Sequence, residues 1–124
     1  MTTRCPCLSG LPYSDCCEPV HRGESVAPTA EALIRSRFSA FAVGDSDYLL
    51  SSWHPSTRPA TLELDPELRW YRLDILDRVA GGPLDARGEV EFEAFWRSAD
   101  TRGSQRERSA FVREGGRWYY VAEA

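Results

Sequence analysis

Apolar residues recur along this chain with two different periods, and the change of period divides it. Over residues 30–43, Ala30, Leu33, Ile34, Phe38 and Phe41 follow helical spacing. Thr29 precedes them as an N-cap, Glu31 lies in the first turn, and Gly44 is a natural stop. Asp45 or Ser46 then caps a shorter helix carrying Tyr48, Leu49, Leu50 and Trp53, ended by Pro55. From residue 56 to 69 prolines interrupt the pattern, and a short strand near 60–64 and one helical turn after Pro66 are expected. Beyond that the period is two. Tyr71, Leu73 and Ile75 alternate with Arg72, Asp74 and Leu76, and Gly81-Gly82-Pro83 turns the chain. Val90, Phe92, Ala94 and Trp96 alternate with Glu89, Glu91, Glu93 and Phe95, and 100–103 is a second turn. A third strand over 106–114, a Gly115-Gly116 hairpin loop and a fourth strand over 117–122 complete the chain. Helices followed by a run of antiparallel strands predict an α+β fold.

The start of the chain obeys neither period. All four cysteines lie in the first seventeen residues, at Cys5, Cys7, Cys16 and Cys17. Residues 1–22 also carry Pro6, Pro12 and Pro19 and almost no aliphatic side chains, so they cannot build a core of their own. A fold that short needs a metal or disulfides. Cys5/Cys7 and Cys16/Cys17 are poorly placed to pair within themselves, although cross-pairs such as Cys5–Cys17 are sterically open. Reduced thiols in a cytosol favour metal over disulfide. Four thiolates complete the tetrahedral shell of one structural Zn²⁺, at about 2.3 Å per sulfur. His21 is the one alternative ligand nearby; because Cys17 already completes the set, it reads as a linker histidine.

Composition narrows the function classes. A hydrophobic share of 42%, with four Trp, five Tyr and five Phe, supports a packed domain rather than disorder. The net charge is −4, and all fifteen basic residues are Arg, so there is no strong nucleic-acid signal. No leader-like or membrane-length apolar run is present, and a cytoplasmic location is expected.

The segment Cys5-Pro-Cys7-Leu-Ser-Gly10-Leu-Pro-Tyr13-Ser-Asp-Cys16-Cys17 resembles the SEC-C motif, the zinc-binding segment at the end of the SecA translocation ATPase. The resemblance implies that Cys5, Cys7, Cys16 and Cys17 ligate Zn²⁺ and that Tyr13 packs the knuckle. Leu8 stands where that motif has Gly, and the lysines usual around the tyrosine are replaced by Leu11, Pro12, Ser14 and Asp15. Pro28-Thr-Ala-Glu-Ala-Leu33, Trp53-His-Pro-Ser-Thr-Arg-Pro59 and Gly116-Arg-Trp-Tyr-Tyr-Val121 are similar to the YchJ-like family of small bacterial proteins. That resemblance implies two units, a SEC-C motif over 1–22 and a nuclear transport factor 2-like domain over 28–124, the latter a cone of helices on a curved antiparallel sheet.

The first expectation for function is a zinc-binding interaction protein whose knuckle docks a protein or ribonucleoprotein partner. The second is a small-molecule binding protein or enzyme using the cone pocket. For that pocket the candidates are His54 as general acid/base, with Asp47, Tyr71, Glu107 and Arg108. The plainer reading of His54 is a cap on helix-end carbonyls. Arg35 and Arg37 read as solvated or paired with Asp45 and Asp47, Glu107 and Arg108 as a structural ion pair, and the Trp118–Tyr120 aromatics as core packing. No nucleophile–base pair, phosphate loop or paired-carboxylate motif is present.

Overall fold

The computed structural model describes residues 3–124. The elements run as a 3-10 turn (Tyr13–Asp15), α1 (Cys17–His21), α2 (Ala30–Val43), α3 (Ser46–Ser51), β1 (Arg69–Ala80), β2 (Arg87–Arg97), β3 (Arg102–Glu114) and β4 (Arg117–Glu123). The four strands form one antiparallel meander in sequence order.

Local chemistry sets the helix limits. The Thr29 hydroxyl accepts from the Ala32 amide at 3.0 Å, and Gly44 ends α2 in the left-handed region at φ 79°. Asp45, not Ser46, caps α3, accepting from the Tyr48 amide at 3.0 Å. Helix α3 stops at Ser51, short of Trp53, because the next residues pair with β4 instead. Tyr120 N–H donates to the Ser52 carbonyl at 2.9 Å, and His54 N–H donates to the Tyr120 carbonyl at 2.7 Å. The expected strand at 60–64 is absent: 61–65 has no regular structure, and Leu62 and Leu64 pack against Ala40, Tyr48 and Leu49. After Pro66 there is a turn in which Asp65 accepts from the Glu67 amide.

The core lies between α2 and one face of the sheet. Leu33, Ile34 and Phe38 meet Leu73, Val90, Phe92, Phe111 and Trp118, all buried; each such side chain contributes about 1.5–3 kcal/mol on burial. Strand β1 departs from simple alternation. Register shifts between Trp70 and Arg72 and between Ile75 and Asp77 leave Tyr71 and Leu76 unpaired and turned outward. Trp70 therefore faces the core where Tyr71 was expected to.

Two glycines are fixed by close approach. A Cβ on Gly88 would lie 2.5 Å from the Gly81 Cα, where the β1–β2 hairpin also gives its Gly81 carbonyl to the Ala30 amide at 3.0 Å. A Cβ on Gly103 would lie 2.8 Å from the Trp96 ring. Gly103 is thus a strand residue under an indole, and the turn expected at 100–103 closes earlier, with Ser98 N–H donating to the Thr101 carbonyl at 2.8 Å. Among the described residues no helix is long and apolar enough to cross a membrane.

Candidate metal centre

Three short devices gather the four cysteines. Residues 3–13 fold back as a tight hairpin, held by Cys5 N–H to the Leu11 carbonyl (2.9 Å) and Tyr13 N–H to the Thr3 carbonyl (2.8 Å). Its tip turns through Leu8 and Gly10, both with positive φ (69° and 87°). The 3-10 turn and α1 then bring Cys16 and Cys17 against Cys5 and Cys7. The four sulfurs lie within 4.8 Å of one another, and three of the four cysteines are buried.

The spacing fits a tetrahedral ion. Sulfurs at about 2.3 Å from a common centre stand about 3.8 Å apart, and Cys7–Cys16 and Cys16–Cys17 measure 3.5 and 3.9 Å. Those separations are far beyond a disulfide bond, and all four cysteines are free thiols. The electrostatics agree. The Cys7 thiol is drawn down to about 4, chiefly by hydrogen bonding from Cys17 and against its own burial. Hydrogen bonding to Cys7, with burial, pushes the Cys17 thiol up, and burial pushes Cys16 up. Thiolates this close repel one another, and a cation bound among them would offset that repulsion.

Outer contacts hold the sulfurs in place. Ser9 Oγ lies 3.1 Å from Cys16 Sγ while accepting from the Leu11 amide, which frees its hydroxyl to donate to sulfur. Three contacts then fasten the segment to one face of α2: Cys5 Sγ to Ser39 Oγ at 3.6 Å, Arg35 Nη1 donating to the Cys7 carbonyl at 3.1 Å, and His21 Nε2 to the Ser36 carbonyl at 2.8 Å. His21 thus closes α1 rather than standing in the linker, and both of its ring nitrogens have protein partners. Its Nδ1 lies 2.6 Å from the Tyr13 hydroxyl, and its ring packs against Tyr48 at a tilt of 48°, centroids 4.6 Å apart.

The residues proposed for a pocket disperse. His54 is half-buried outside the cavity: Nε2 meets Glu114 Oε1 at 2.9 Å, and Nδ1 accepts from the Ser56 amide at 3.1 Å with Ser56 Oγ at 2.7 Å. It caps no helix carbonyl. The Ser56–His54–Glu114 series has the order of a catalytic relay, but the Thr57 and Arg58 amides beside it are spent on the His54 carbonyl. Those two amides are therefore not free to receive an oxyanion. Tyr71 is 39% exposed beside Arg97 and Phe95, and Asp47 is exposed in the first turn of α3. Neighbours on a strand face opposite ways, so Glu107 and Arg108 do not pair. Arg108 binds Asp77, Glu89 and Glu91 on the outer face, while Glu107 faces a cavity between α2 and the sheet. Arg35 pairs with Glu31 rather than Asp45 or Asp47, and Arg37 is buried. Arg37 had a readable signal: it sits on the apolar stripe of α2, between Leu33/Ile34 and Phe38/Phe41.

Comparison with known proteins agrees with this architecture. The model of the YchJ middle NTF2-like domain matches residues 29–123, and that of the SEC-C motif matches 1–19. A UPF0225 protein of Corynebacterium efficiens is 57% identical over 94% of this chain and 89% of its own length. One from Streptomyces coelicolor is 50% identical over 97% and 94%. The solution structure of a SEC-C motif containing protein from Rhodopseudomonas palustris superposes with a TM-score of 0.80 at 33% identity, covering 100% of this chain and 98% of that one. The crystal structure of a SEC-C motif containing protein from Psychrobacter arcticus gives 0.76 at 28% identity, covering 94% and 79%. With its cysteine-bearing hairpin fastened to a helix-and-meander domain, the chain belongs to the YchJ-like UPF0225 family, which joins a SEC-C motif to an NTF2-like domain.

Proposed function

We propose that residues 3–21 are a structural zinc knuckle and that its outer face docks a partner protein. The observation that carries the metal assignment is the convergence of Cys5, Cys7, Cys16 and Cys17 in a segment whose only buried cluster is the cysteines themselves, with Tyr13 alongside. Thiolate sulfur suits Zn²⁺, and a fully protein-ligated, buried set is structural rather than catalytic. In such segments metal binding supplies the folding free energy.

Leu8 supports the docking half. It occupies the left-handed region, which costs a non-glycine residue about 1 kcal/mol, yet it is 54% exposed, so burial within this chain offsets that cost only in part. Leu11, half exposed, shares the hairpin tip. The segment is acidic, with Arg4 against Asp15 and Glu18, and four thiolates outweigh one Zn²⁺. An apolar tip on an acidic base suits an apolar protein surface and disfavours nucleic-acid phosphates.

Metal analysis of reduced protein tests the first half: about one zinc per chain is expected, and its absence would sink the reading. Co-purification with wild type and with Leu8→Gly/Leu11→Ser after nuclease treatment tests the second. A partner that binds the folded wild type and not the folded variant supports it. Binding abolished by nuclease points to a ribonucleoprotein and overturns the protein assignment.

A further inference from the structure

On the side of α2 away from the knuckle, a cavity of about 250 Å³ lies between the helix and the sheet. Its walls include Phe38, Phe41, Trp53, Trp70, Phe92 and Tyr120. Into this aromatic space α2 projects Arg37, only 4% exposed. The guanidinium is anchored at one corner: Nη1 donates to the Leu49 carbonyl at 2.8 Å and to Ser52 Oγ at 2.6 Å. Its Cζ lies over the rings of Trp53 and Tyr120, 5.4 and 4.7 Å from their centroids. Nε and Nη2 make no hydrogen bond to the described residues, and no described carboxylate lies within ion-pair distance. Every fully buried polar side-chain atom among the described residues has a partner. The two free nitrogens therefore touch open space, and Arg37 lines the cavity.

Glu107, across the cavity on β3, is differently placed. Its Oε2 accepts from the Ser109 hydroxyl and, at 3.2 Å, from the Tyr120 hydroxyl, and Gln105 Nε2 lies 3.4 Å from Oε1. The acid is hydrogen-bonded by protein while the base is left with unused donors, and the Tyr120 ring stands between them. Burial pushes Arg37 down to about 10, partly offset by Tyr48, Tyr120 and Glu107, so it stays charged at neutral pH. A buried cation with unused donors is costly unless something supplies the acceptors.

We propose that this cavity binds a small ligand with a flat apolar body and one carboxylate, the carboxylate accepting from Nε and Nη2 of Arg37 and the body lying among the aromatic walls. Those two nitrogens form the planar edge of a guanidinium that suits a carboxylate in bidentate geometry. At about 30 Å³ per water the space equals about eight waters, room for a one- or two-ring acid. The assignment is independent of the zinc knuckle, since none of the four cysteines lines the cavity.

The test titrates the metal-loaded full chain with 2-naphthoate and its neutral counterpart 2-naphthamide, following tryptophan fluorescence and heat. Saturable binding is expected, with the acid at least about tenfold tighter than the amide. Glu107→Gln, which leaves Arg37 in place and removes the nearby negative charge, should tighten naphthoate about threefold or more and leave the amide unchanged. Arg37→Gln, once shown to be folded, should bring the two ligands within about twofold of each other. Equal affinity in wild type, a preference that survives in folded Arg37→Gln, or no saturable binding at millimolar concentrations would overturn the proposal. Should Arg37→Gln not fold, Glu107→Gln decides: an unchanged preference for the acid overturns it as well.

Discussion

The imidazole of His21 bridges two parts of the chain, with Nε2 lying 2.8 Å from the Ser36 carbonyl oxygen. A carbonyl only accepts, so Nε2 carries the proton, and in the neutral ring Nδ1 accepts from the Tyr13 hydroxyl at 2.6 Å. Burial raises the Tyr13 hydroxyl to about 12, which keeps it a donor. His21→Ala leaves Tyr13 without its partner and removes the ring between Tyr13 and Tyr48. It should cost about 1–3 kcal/mol, read by urea unfolding, with faster amide exchange concentrated in residues 3–21.

Chelation should unfold the knuckle without melting the sheet. The cysteine cluster and the α2–sheet core share no residue, so each can lose its packing separately. Loss of the contacts to Arg35, Ser36 and Ser39 should still lower the Tm of the remainder by a few degrees. A chelator titration followed by near-ultraviolet circular dichroism and calorimetry checks both, and complete melting on chelation would contradict the separation.

Leu8→Gly should separate stability from docking. Glycine accepts φ 69° without strain, so the knuckle should hold its stability or gain up to about 1 kcal/mol. Partner binding should weaken nonetheless. A variant that loses zinc would show that the leucine packs the hairpin instead.

Gly103→Ala should be disruptive for so small a change. The added methyl meets Trp96 Cζ2 at 2.8 Å, and displacing a ring seated on the strand costs about 1–3 kcal/mol. Urea unfolding measures the loss, and Trp96→Leu in the same background should restore part of it.

Glu31 gives the acid side a defined sign. Burial opposes its charge, but the hydrogen bond and charge of Arg35, then those of Arg78, more than offset it and hold the carboxyl below its usual range. A depressed carboxylate stabilises fully above its unfolded value and loses that contribution as pH falls through the folded one. The stability difference between wild type and Glu31→Gln, up to about 1 kcal/mol near pH 6, should therefore shrink towards zero near pH 3.

Both limits of α2 and the start of α3 were readable because their causes are local: Thr29, Gly44 and Asp45 act on residues within four positions, whereas the end of α3 answers to pairing with β4. The crowding of cysteines at one end was equally plain. The inward face of β1 was not, because the bulges at Tyr71 and Leu76 answer to pairing with β2 rather than to the strand's own pattern. His54 is the one histidine beyond the N-terminal segment, but pairing with β4 holds it outside the cavity, beside Glu114. Arg37 is neither solvated nor paired with Asp45 or Asp47, because its position on α2 belongs to the apolar stripe and is buried. Helical periodicity, rather than charge, marks where its side chain goes.

The contacts between Cys5, Cys7 and His21 on one side and Arg35, Ser36 and Ser39 on the other all close within the first third of the chain. Domains form in the order in which synthesis delivers them. The knuckle and its grip on α2 are therefore available before any strand has left the ribosome. The helix that later floors the sheet can emerge with one face already covered, and only its sheet-facing stripe must wait, exposed, for β1 to arrive.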